Sequence, residues 1–375
     1  MMMPFADLVA LDAELCDTLT LTLYLDGRSE NPAWRTAWRR SLKQEEARLR
    51  RALEDAPHAV REAFARNIEA LEEHLSHRRT GLEAPGWLGV VAEGRVRLDA
   101  SLRGITPTIG AWRHGVALAP FLSAAEPGGG RAWVVVADSR AARIFHCDED
   151  SVRRVDTVRT LTQHAAASAS GRVATTHAAA RGGIGRDAAE RERRDARSRM
   201  LRELAHHVRA LSPALPVFVG GTPQLLSEAI AAMAHEHVDN VIETPVLGAR
   251  ARVSEIAHAV RDGLTQLRRV GEQVLVEELL RRYGDDDLAA AGAAATGRAL
   301  DERCVHTLVL SAPFIAVQPE VAEVFVRSAL AQDARIEVVS GDAARLLEDS
   351  GGTGVLLRFS PFATASSDEG ELALV

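Results

Sequence analysis

The order of apolar segments between residues 133 and 260 restricts the fold more than any other feature of this chain. Three short strands are predicted in succession, at Trp133–Ala137, Ala142–Cys147 and Val152–Val158. Strand and helix patterns then alternate, with a strand at Pro216–Val219, a helix at Pro223–Ala234, a short strand at Val241–Glu243 and a helix from Val253. The three strands indicate an antiparallel meander, and the alternation predicts a mixed sheet covered by helices.

A long segment of small residues, Thr160–Ala180, lies inside this region and has almost nothing to bury. Loops of about 20 residues within a domain are usually functional or act as linkers. The segment ends in Arg181-Gly182-Gly183-Ile184-Gly185-Arg186, and a helix rich in Arg and Glu is predicted from Asp187 to Leu211. The paired glycines are placed where free backbone N–H groups at the helix start could meet an anion or an RNA backbone. The alternative is a plain turn before a helix.

Composition and charge narrow the class of protein. With 375 residues, 46% of them hydrophobic, the chain has material for two or three domains. No apolar run reaches membrane-span length, and the start has no signal-peptide pattern, so we expect a cytoplasmic protein without membrane partners. A net charge of −7 argues against general binding to nucleic acid, so any RNA contact must be local. The three cysteines are far apart and predict neither disulfides nor a zinc site, and no cofactor or metal is expected.

The N-terminal part predicts a strand at Leu19–Leu25 and then two amphipathic helices separated by Pro57. A strand hairpin follows, turning at Glu93-Gly94. The first helix has a basic face, which could meet RNA or could simply be solvated; it contains Arg35, Arg39, Arg40 and Lys43.

The C-terminal part begins with a helical pattern that continues from Val253 to Tyr283, with Gly271 as the expected break. Asp285–Asp287 are predicted to cap the next helix. The strand and helix patterns beyond them indicate a small α/β sandwich. We therefore expect an N-terminal α/β domain at 1–127, a mixed-sheet middle domain at 128–270 with the glycine loop at 160–186, and a C-terminal domain at 271–375.

Three segments in fixed order resemble the archaeal and eukaryotic class I release factors, their relative Pelota and the bacterial members of that family. The second segment, Arg181-Gly182-Gly183-Ile184 with its Arg/Glu helix, occupies the place of the family's GGQ loop and basic helix. The first segment runs from Trp87 to Ile144 and includes Ile105-Thr106-Pro107, Ala119-Pro120-Phe121-Leu122 and Asp138-Ser139. The third comprises the long helix, Thr296-Gly297-Arg298-Ala299-Leu300 and the ending Ser350–Phe359.

The resemblance implies an α/β (α+β) fold with three release-factor-like domains that enter the ribosomal A site. Domain one would lie at the decoding centre and domain two at the peptidyl transferase centre, both against ribosomal RNA. Domain three would bind the factor-binding region or a translational GTPase such as elongation factor Tu.

Two departures from the family bear on activity. Ile184 stands where the family's hydrolases have Gln, so the side-chain amide that helps to place water is missing. The family's codon-reading motifs are not recognisable in residues 20–82. These departures favour a factor for ribosome hibernation or rescue, without codon-specific termination or efficient hydrolysis.

The candidate RNA-binding residues follow from this interpretation. No catalytic residue is assigned, because Gly182, Gly183 and Ile184 stand in place of the GGQ motif. The RNA-binding set is Arg181, Gly182, Gly183, Arg186, Arg191, Arg194, Arg35 and Arg39. Three alternatives stay open: a solvated helix with i,i+4 ion pairs, a peptidyl-tRNA hydrolase using the backbone N–H of Ile184, and a metal-dependent nuclease built on Asp138. The His206-His207 and His235/His237 pairs are not expected to bind metal, because side chains at these spacings do not share a helix face.

Overall fold

The computed structural model describes residues 4–27, 37–76, 82, 85–102, 104, 108–124, 130–148, 151–160, 184–211 and 215–359. They form two compact units. Unit 1 combines residues 1–126 with residues 269–375, and unit 2 comprises residues 127–268. The segments predicted as the first and third domains thus lie in the same unit.

The N-terminal part of unit 1 is an antiparallel sheet with two helices on one face. Its elements are α1 (Phe5–Glu14), β1 (Leu19–Asp26), α2 (Ala37–Ala52), α3 (His58–Ser76), β2 (Gly86–Ala92), β3 (Arg95–Leu102), β4 (Ile109–His114) and α4 (Ala119–Ala124). The strand order is β3-β2-β1-β4. Because side chains alternate along β1, Leu21 and Leu23 pack under α2 and α3 while Tyr24 points to the opposite face. The hairpin turn is confirmed, since Glu93 and Gly94 both have positive φ, as a type I′ turn requires.

Unit 2 is a five-stranded mixed sheet between helices. Its elements are β5 (Ala132–Ala137), β6 (Ala141–Cys147), β7 (Val152–Arg159), α5 (Ile184–Ala210), β8 (Val217–Gly221), α6 (Pro223–His235), β9 (Val241–Glu243) and the first part of α7 (Val253–Gly284). The order is β7-β6-β5-β8-β9. β5, β6 and β7 form the predicted antiparallel meander, while β5, β8 and β9 are parallel. The mixed sheet is confirmed.

Helices α5 and α6 cover one face of this sheet, and the first part of α7 covers the other. Met200, Leu204 and Met233 lie in the core on the α5 side, whereas Phe218 and Ile256 lie in the core on the α7 side. Residues on opposite faces of the strands fill these two cores.

Helix α7 is continuous over 32 residues, and the predicted break at Gly271 is wrong. A helix-interior glycine costs only about 1 kcal/mol relative to alanine, which is too little to interrupt a helix held by buried residues on both sides of it. Ile256 and Val260 are buried before Gly271, and Val276 and Leu279 are buried after it.

The C-terminal part of unit 1 is a second sheet with helices on both faces, which confirms the α/β sandwich. Its elements after α7 are β10 (Ala289–Ala291), α8 (Ala293–Asp301), β11 (Val305–Ser311), α9 (Ala312–Val317), α10 (Pro319–Leu330), β12 (Arg335–Val339), α11 (Gly341–Glu348) and β13 (Thr353–Leu357). The order is β10-β13-β11-β12, with only the β11–β12 pair parallel.

Asp285–Asp287 do not cap a helix, contrary to the prediction. They follow α7 and lead into β10, and the residue before α8 is Gly292. Asp285 instead accepts a hydrogen bond of 2.8 Å from Arg281 in the last turn of α7. The acidic run therefore pairs with the preceding helix, because the short strand β10 separates it from the next one.

A buried ionic network joins the two parts of unit 1. Arg327 on α10 donates two hydrogen bonds to Asp12 on α1 and one of 2.8 Å to Glu323. Glu323 is only 2% exposed, and it also accepts hydrogen bonds of 2.7 and 2.9 Å from the backbone N–H groups of Leu118 and Ala119 at the start of α4. Both carboxylates thus have hydrogen-bond donors and a cationic partner, as buried charges require.

Throughout the described ranges, every helix falls short of the combined length and apolar character that a membrane span needs.

Candidate nucleic-acid interface

Helix α5 carries three of the predicted RNA-binding residues, Arg186, Arg191 and Arg194, and it begins earlier than predicted. Its first residue is Ile184, three residues before the expected start at Asp187. Arg181, Gly182 and Gly183 lie outside the described residues, and the side chains of residues 184–189, including that of Arg186, are also outside them. Ile184 is therefore the first residue of the helix, which leaves its backbone N–H among the first-turn donors that have no partner within the helix.

The C-terminal half of α5 is anchored in unit 2 by an apolar stripe. Its buried residues recur every three or four positions, as a helix with one face on a core demands; they are Ala196, Met200, Leu201, Leu204, Ala205 and Val208. Arg197 adds an ion pair of 2.8 Å to Glu228 on α6. His207 adds a contact of 3.2 Å to Asp156 on β7. This half of the helix is a fixed support for the turns before it.

The turns before Ala196 extend beyond the core. None of the described side chains from Glu190 to Asp195 is buried. Arg191, Arg193 and Arg194 are exposed, and none of them forms an ion pair within the described part of the chain. The i,i+4 partners that the sequence offers, such as Asp195 for Arg191, are not engaged. The described part of α5 thus differs from the alternative of a solvated helix with i,i+4 ion pairs. The three guanidinium groups are available to bind a ligand.

Charge is divided unequally between the two units. Unit 2 has 20 Arg and no Lys against 16 Asp and Glu, a net charge of +4, whereas unit 1 has 25 Lys and Arg against 36 Asp and Glu, a net charge of −11. The overall charge of −7 therefore conceals a basic unit. A phosphate backbone would be attracted to unit 2 and repelled by much of unit 1.

The basic face of α2 is neutralised at Lys43, while Arg39 and Arg40 are exposed. Lys43 pairs with Glu46 at 3.1 Å and also with Glu72 on α3, and hydrogen bonds to Glu72 and then Glu46 raise its pKa. Arg50 pairs with Glu46 at 2.8 Å. Arg39 is exposed, and its guanidinium lies 5.3 Å from the centre of the Trp38 ring. Arg35 lies outside the described residues. This face belongs to unit 1, whereas α5 belongs to unit 2.

Asp138, the proposed nuclease residue, has a local structural role. Its carboxylate accepts hydrogen bonds from the backbone N–H groups of Arg140 and Ala141, at 2.7 and 2.9 Å, and closes the β5–β6 turn. Across the described ranges, no cluster of three or more His, Cys, Asp or Glu residues is arranged to hold a metal ion. Nothing in this geometry favours the nuclease alternative.

A second concentration of arginines lies on strands β6 and β7 and in the turn before β6, and sequence reasoning missed it. The residues are Arg140, Arg143, Arg153, Arg154 and Arg159. The density of arginine in two short strands was visible in the sequence. Their distribution over the two faces depends on the strand register, which includes a bulge between Ile144 and Phe145.

Solved structures similar to this chain include Pelota proteins and an archaeal translation termination factor. Pelota from Archaeoglobus fulgidus is 14% identical, with a TM-score of 0.42, over 73% of this chain and 80% of that one. Archaeal Pelota, described as ribosome-bound with ABCE1, is 14% identical, with a TM-score of 0.44, over 73% and 78%. An archaeal translation termination factor is 16% identical, with a TM-score of 0.27, over 96% and 99%. These proteins belong to the family that the sequence resembles.

No family model matches the chain, and a search of curated protein sequences finds no match.

Proposed function

We propose that this protein is a translation factor of the release-factor and Pelota type that binds the ribosomal A site. It acts in ribosome hibernation or rescue, without codon-specific termination. The observation that carries the proposal is the set of exposed arginines on the first described turns of α5 that form no ion pair with a described residue; they follow Gly182-Gly183 in the sequence. They belong to the basic unit of an otherwise acidic chain.

The chemistry of these groups suits ribosomal RNA. Arginine binds phosphate oxygens through two parallel N–H donors, and an unpaired, exposed guanidinium loses no protein partner when it does so. The helix N-terminus adds free backbone N–H groups and a partial positive charge. Glycines at 182 and 183 would let an RNA backbone approach without a Cβ in the way. Arg181, Arg186, Arg191 and Arg194 are the proposed phosphate contacts, with Arg35 and Arg39 as further contacts from the N-terminal part.

The domain roles follow the same proposal. Residues 1–127 lie at the decoding side, residues 128–270 place the glycine loop at the peptidyl transferase centre, and residues 271–375 bind the factor-binding region or a translational GTPase, elongation factor Tu being the candidate.

Cosedimentation with ribosomes of the source organism tests this function. We expect the full chain to pellet with ribosomes and the Arg191→Glu/Arg194→Glu variant to remain largely in the supernatant. The control is Arg298→Glu/Arg303→Glu, which makes the same charge change at exposed residues of unit 1. A wild-type chain that never sediments with ribosomes contradicts the proposal. If both variants bind ribosomes equally well, the arginines of α5 are not the ribosome contact.

One observation favours hydrolysis of peptidyl-tRNA as a second candidate. Ile184 begins α5, so its backbone N–H is free to bind a developing oxyanion even though the side chain has no amide. Peptide release from stalled ribosome complexes decides the matter. Release by the wild type supports hydrolysis. Hydrolysis is rejected if the wild type binds the complexes without releasing peptide while the Ile184→Gln variant does release it.

A further inference from the structure

The β6–β7 hairpin of unit 2 presents arginines on the sheet face that α7 partly covers. Directly paired residues of neighbouring strands share a face. Val136, which lies in the core under α7, pairs with Arg143. Arg143 in turn pairs with Thr157, and Ala141 pairs with Arg159. Arg143 and Arg159 therefore project on the α7 side.

Arg154 joins them because of the bulge. In a regular strand, Arg154 and Asp156 would lie on the same face. The bulge after Ile144 instead pairs Arg154 with Phe145, whose side chain lies in the core under α7. Arg154 therefore lies on the α7 side. Arg154 and Arg159 are five residues apart, or about 17 Å along the strand. Both are exposed.

The loop before α7 adds two more arginines to this surface. Arg143 donates a hydrogen bond of 2.6 Å to the carbonyl oxygen of Ala249. Ala251 is buried in the same core as Phe145. These contacts hold the loop against β6, so its exposed residues Arg250 and Arg252 lie beside the hairpin. We call Arg143, Arg154, Arg159, Arg250 and Arg252 the hairpin basic face.

Few acidic residues border this face: Asp148 follows β6, and Glu255 at the start of α7 accepts a hydrogen bond of 2.8 Å from the backbone N–H of Arg252. Strands β6 and β7 and residues 244–252 contain one acid, Asp156. It pairs with Ile144 on the opposite face, where it contacts His207 of α5 at 3.2 Å. Arg154, Arg159, Arg250 and Arg252 form no ion pair with any described residue.

A phosphate backbone fits this surface better than a protein does. Protein interfaces are organised around buried aromatic or aliphatic anchors, but Phe145 is buried here. The exposed apolar residues beside the face, Val246 and Val253, are small, whereas four arginines of the face are exposed. Positive charges on an edge strand also discourage sheet-to-sheet aggregation. That role alone does not explain the arginines contributed by the separate loop, which has no strand edge to protect.

We infer that the hairpin basic face is a second RNA-binding surface, separate from the α5 arginines, that follows a sugar-phosphate backbone along β7. The inference rests on the proposed function, since it takes ribosomal RNA as the physiological ligand. It assigns the β6–β7 hairpin a role in the strength of binding rather than in the chemistry at the glycine loop.

Binding of the full chain to a short RNA hairpin and to ribosomes tests the inference. The variant is Arg154→Gln/Arg159→Gln/Arg250→Gln. The matched control is Arg61→Gln/Arg298→Gln/Arg303→Gln, which removes the same charge from exposed residues of unit 1. We expect the variant to bind the RNA hairpin at least about tenfold more weakly than the control. The slope of the logarithm of its binding constant against the logarithm of salt concentration should fall in magnitude by roughly two to three.

The Arg→Lys triple variant checks the fold, because it keeps the charges, and it should retain most of the affinity. Equal RNA binding by the Gln variant and its control overturns the inference, as does aggregation of the Gln variant with unchanged RNA affinity. Tighter binding of the wild type to polyglutamate than to RNA also overturns it, in favour of an acidic protein partner. If the wild type binds ribosomes and the Gln variant binds equally well, only this inference fails. If the wild type binds the RNA hairpin through this face but never binds ribosomes, the proposed function fails.

Discussion

Arg327 and Asp12 are 315 residues apart in the sequence and form a two-point ion pair, with N–O distances of 2.7 and 2.8 Å. The same guanidinium donates to the carbonyl oxygen of Val116 at 2.7 Å, while Asp12 accepts from the N–H of Val116, also at 2.7 Å. Removing either charge leaves its partner poorly compensated. The two ends of the chain are therefore held in one unit by specific polar contacts as well as by a shared apolar core.

Replacing Arg327 with Met should destabilise unit 1 strongly. The buried carboxylate of Asp12 would lose its cation, and Glu323 would keep only Arg113, at 3.5 Å. Breaking a buried pair in this way typically costs about 3–5 kcal/mol in free energy of unfolding. Urea unfolding measures it. Arg335→Met is the control, since that residue forms an exposed pair with Glu337 and its loss should cost less than about 1 kcal/mol. Equal effects of the two substitutions would show that the network contributes little.

Alanine at the two glycines of α7 should have opposite effects. A Cβ at Gly271 would meet nothing within 4 Å, so Gly271→Ala should stabilise the chain by up to about 1 kcal/mol. A Cβ at Gly263 would collide with the Phe218 ring, so Gly263→Ala should destabilise it by about 1–3 kcal/mol. Thermal unfolding of both variants tests this. A destabilising Gly271→Ala would contradict the continuous helix.

Thiol labelling should distinguish one cysteine from the other two. Cys16 is exposed, whereas Cys147 and Cys304 are buried. Burial raises the pKa of the Cys147 thiol to about 11, so very little reactive thiolate is present at pH 8. Iodoacetamide should modify Cys16 in the native protein and all three cysteines in urea, as read by mass spectrometry. Rapid native labelling of Cys147 would be inconsistent with the packed core of unit 2.

The carboxylate of Glu278 should titrate at unusually low pH. Hydrogen bonds from Arg281 and Arg282 lower its pKa from 4.5 to about 2. Because the folded pKa lies below the unfolded one, the stabilisation is present above about pH 4.5 and is lost as the pH falls towards 2. The group is exposed, so we expect only a small effect on stability. An NMR titration should show the low midpoint in the wild type and a rise in Arg281→Ala; a midpoint near 4.5 in both would refute the pairing.

The elements of unit 2 were largely predictable because local patterns define them. The meander and the alternating strands and helices after residue 216 match their predicted positions closely. The predictions at Gly271 and Asp285–Asp287 were wrong because both relied on local preferences. Glycine tends to break helices, but buried residues on both sides of Gly271 keep α7 continuous. Acidic residues tend to begin helices, but the three-residue strand β10 follows Asp285–Asp287 instead. Strand β10 has only alanines, Ala289–Ala291, so nothing in its sequence distinguishes it from a helix.

The candidate sites were predictable in part. Arginine density behind the glycine pair was evident, but whether Arg191 and Arg194 were paired depended on side-chain positions. The hairpin basic face could not be found, because a bulge decides on which side Arg154 projects.

By itself, the sequence determined the order of strands and helices in unit 2, the glycine junction with Ile184 in place of Gln, and the local basic character of the chain after residue 180. These depend on the spacing of neighbouring residues along the chain. Only the tertiary structure decided that residues 1–126 and 269–375 share one unit, that Arg191, Arg193 and Arg194 form no ion pair with a described residue, and that five arginines from three segments share one face. Those properties arise from strand register, burial and contacts between distant segments, which no local pattern specifies.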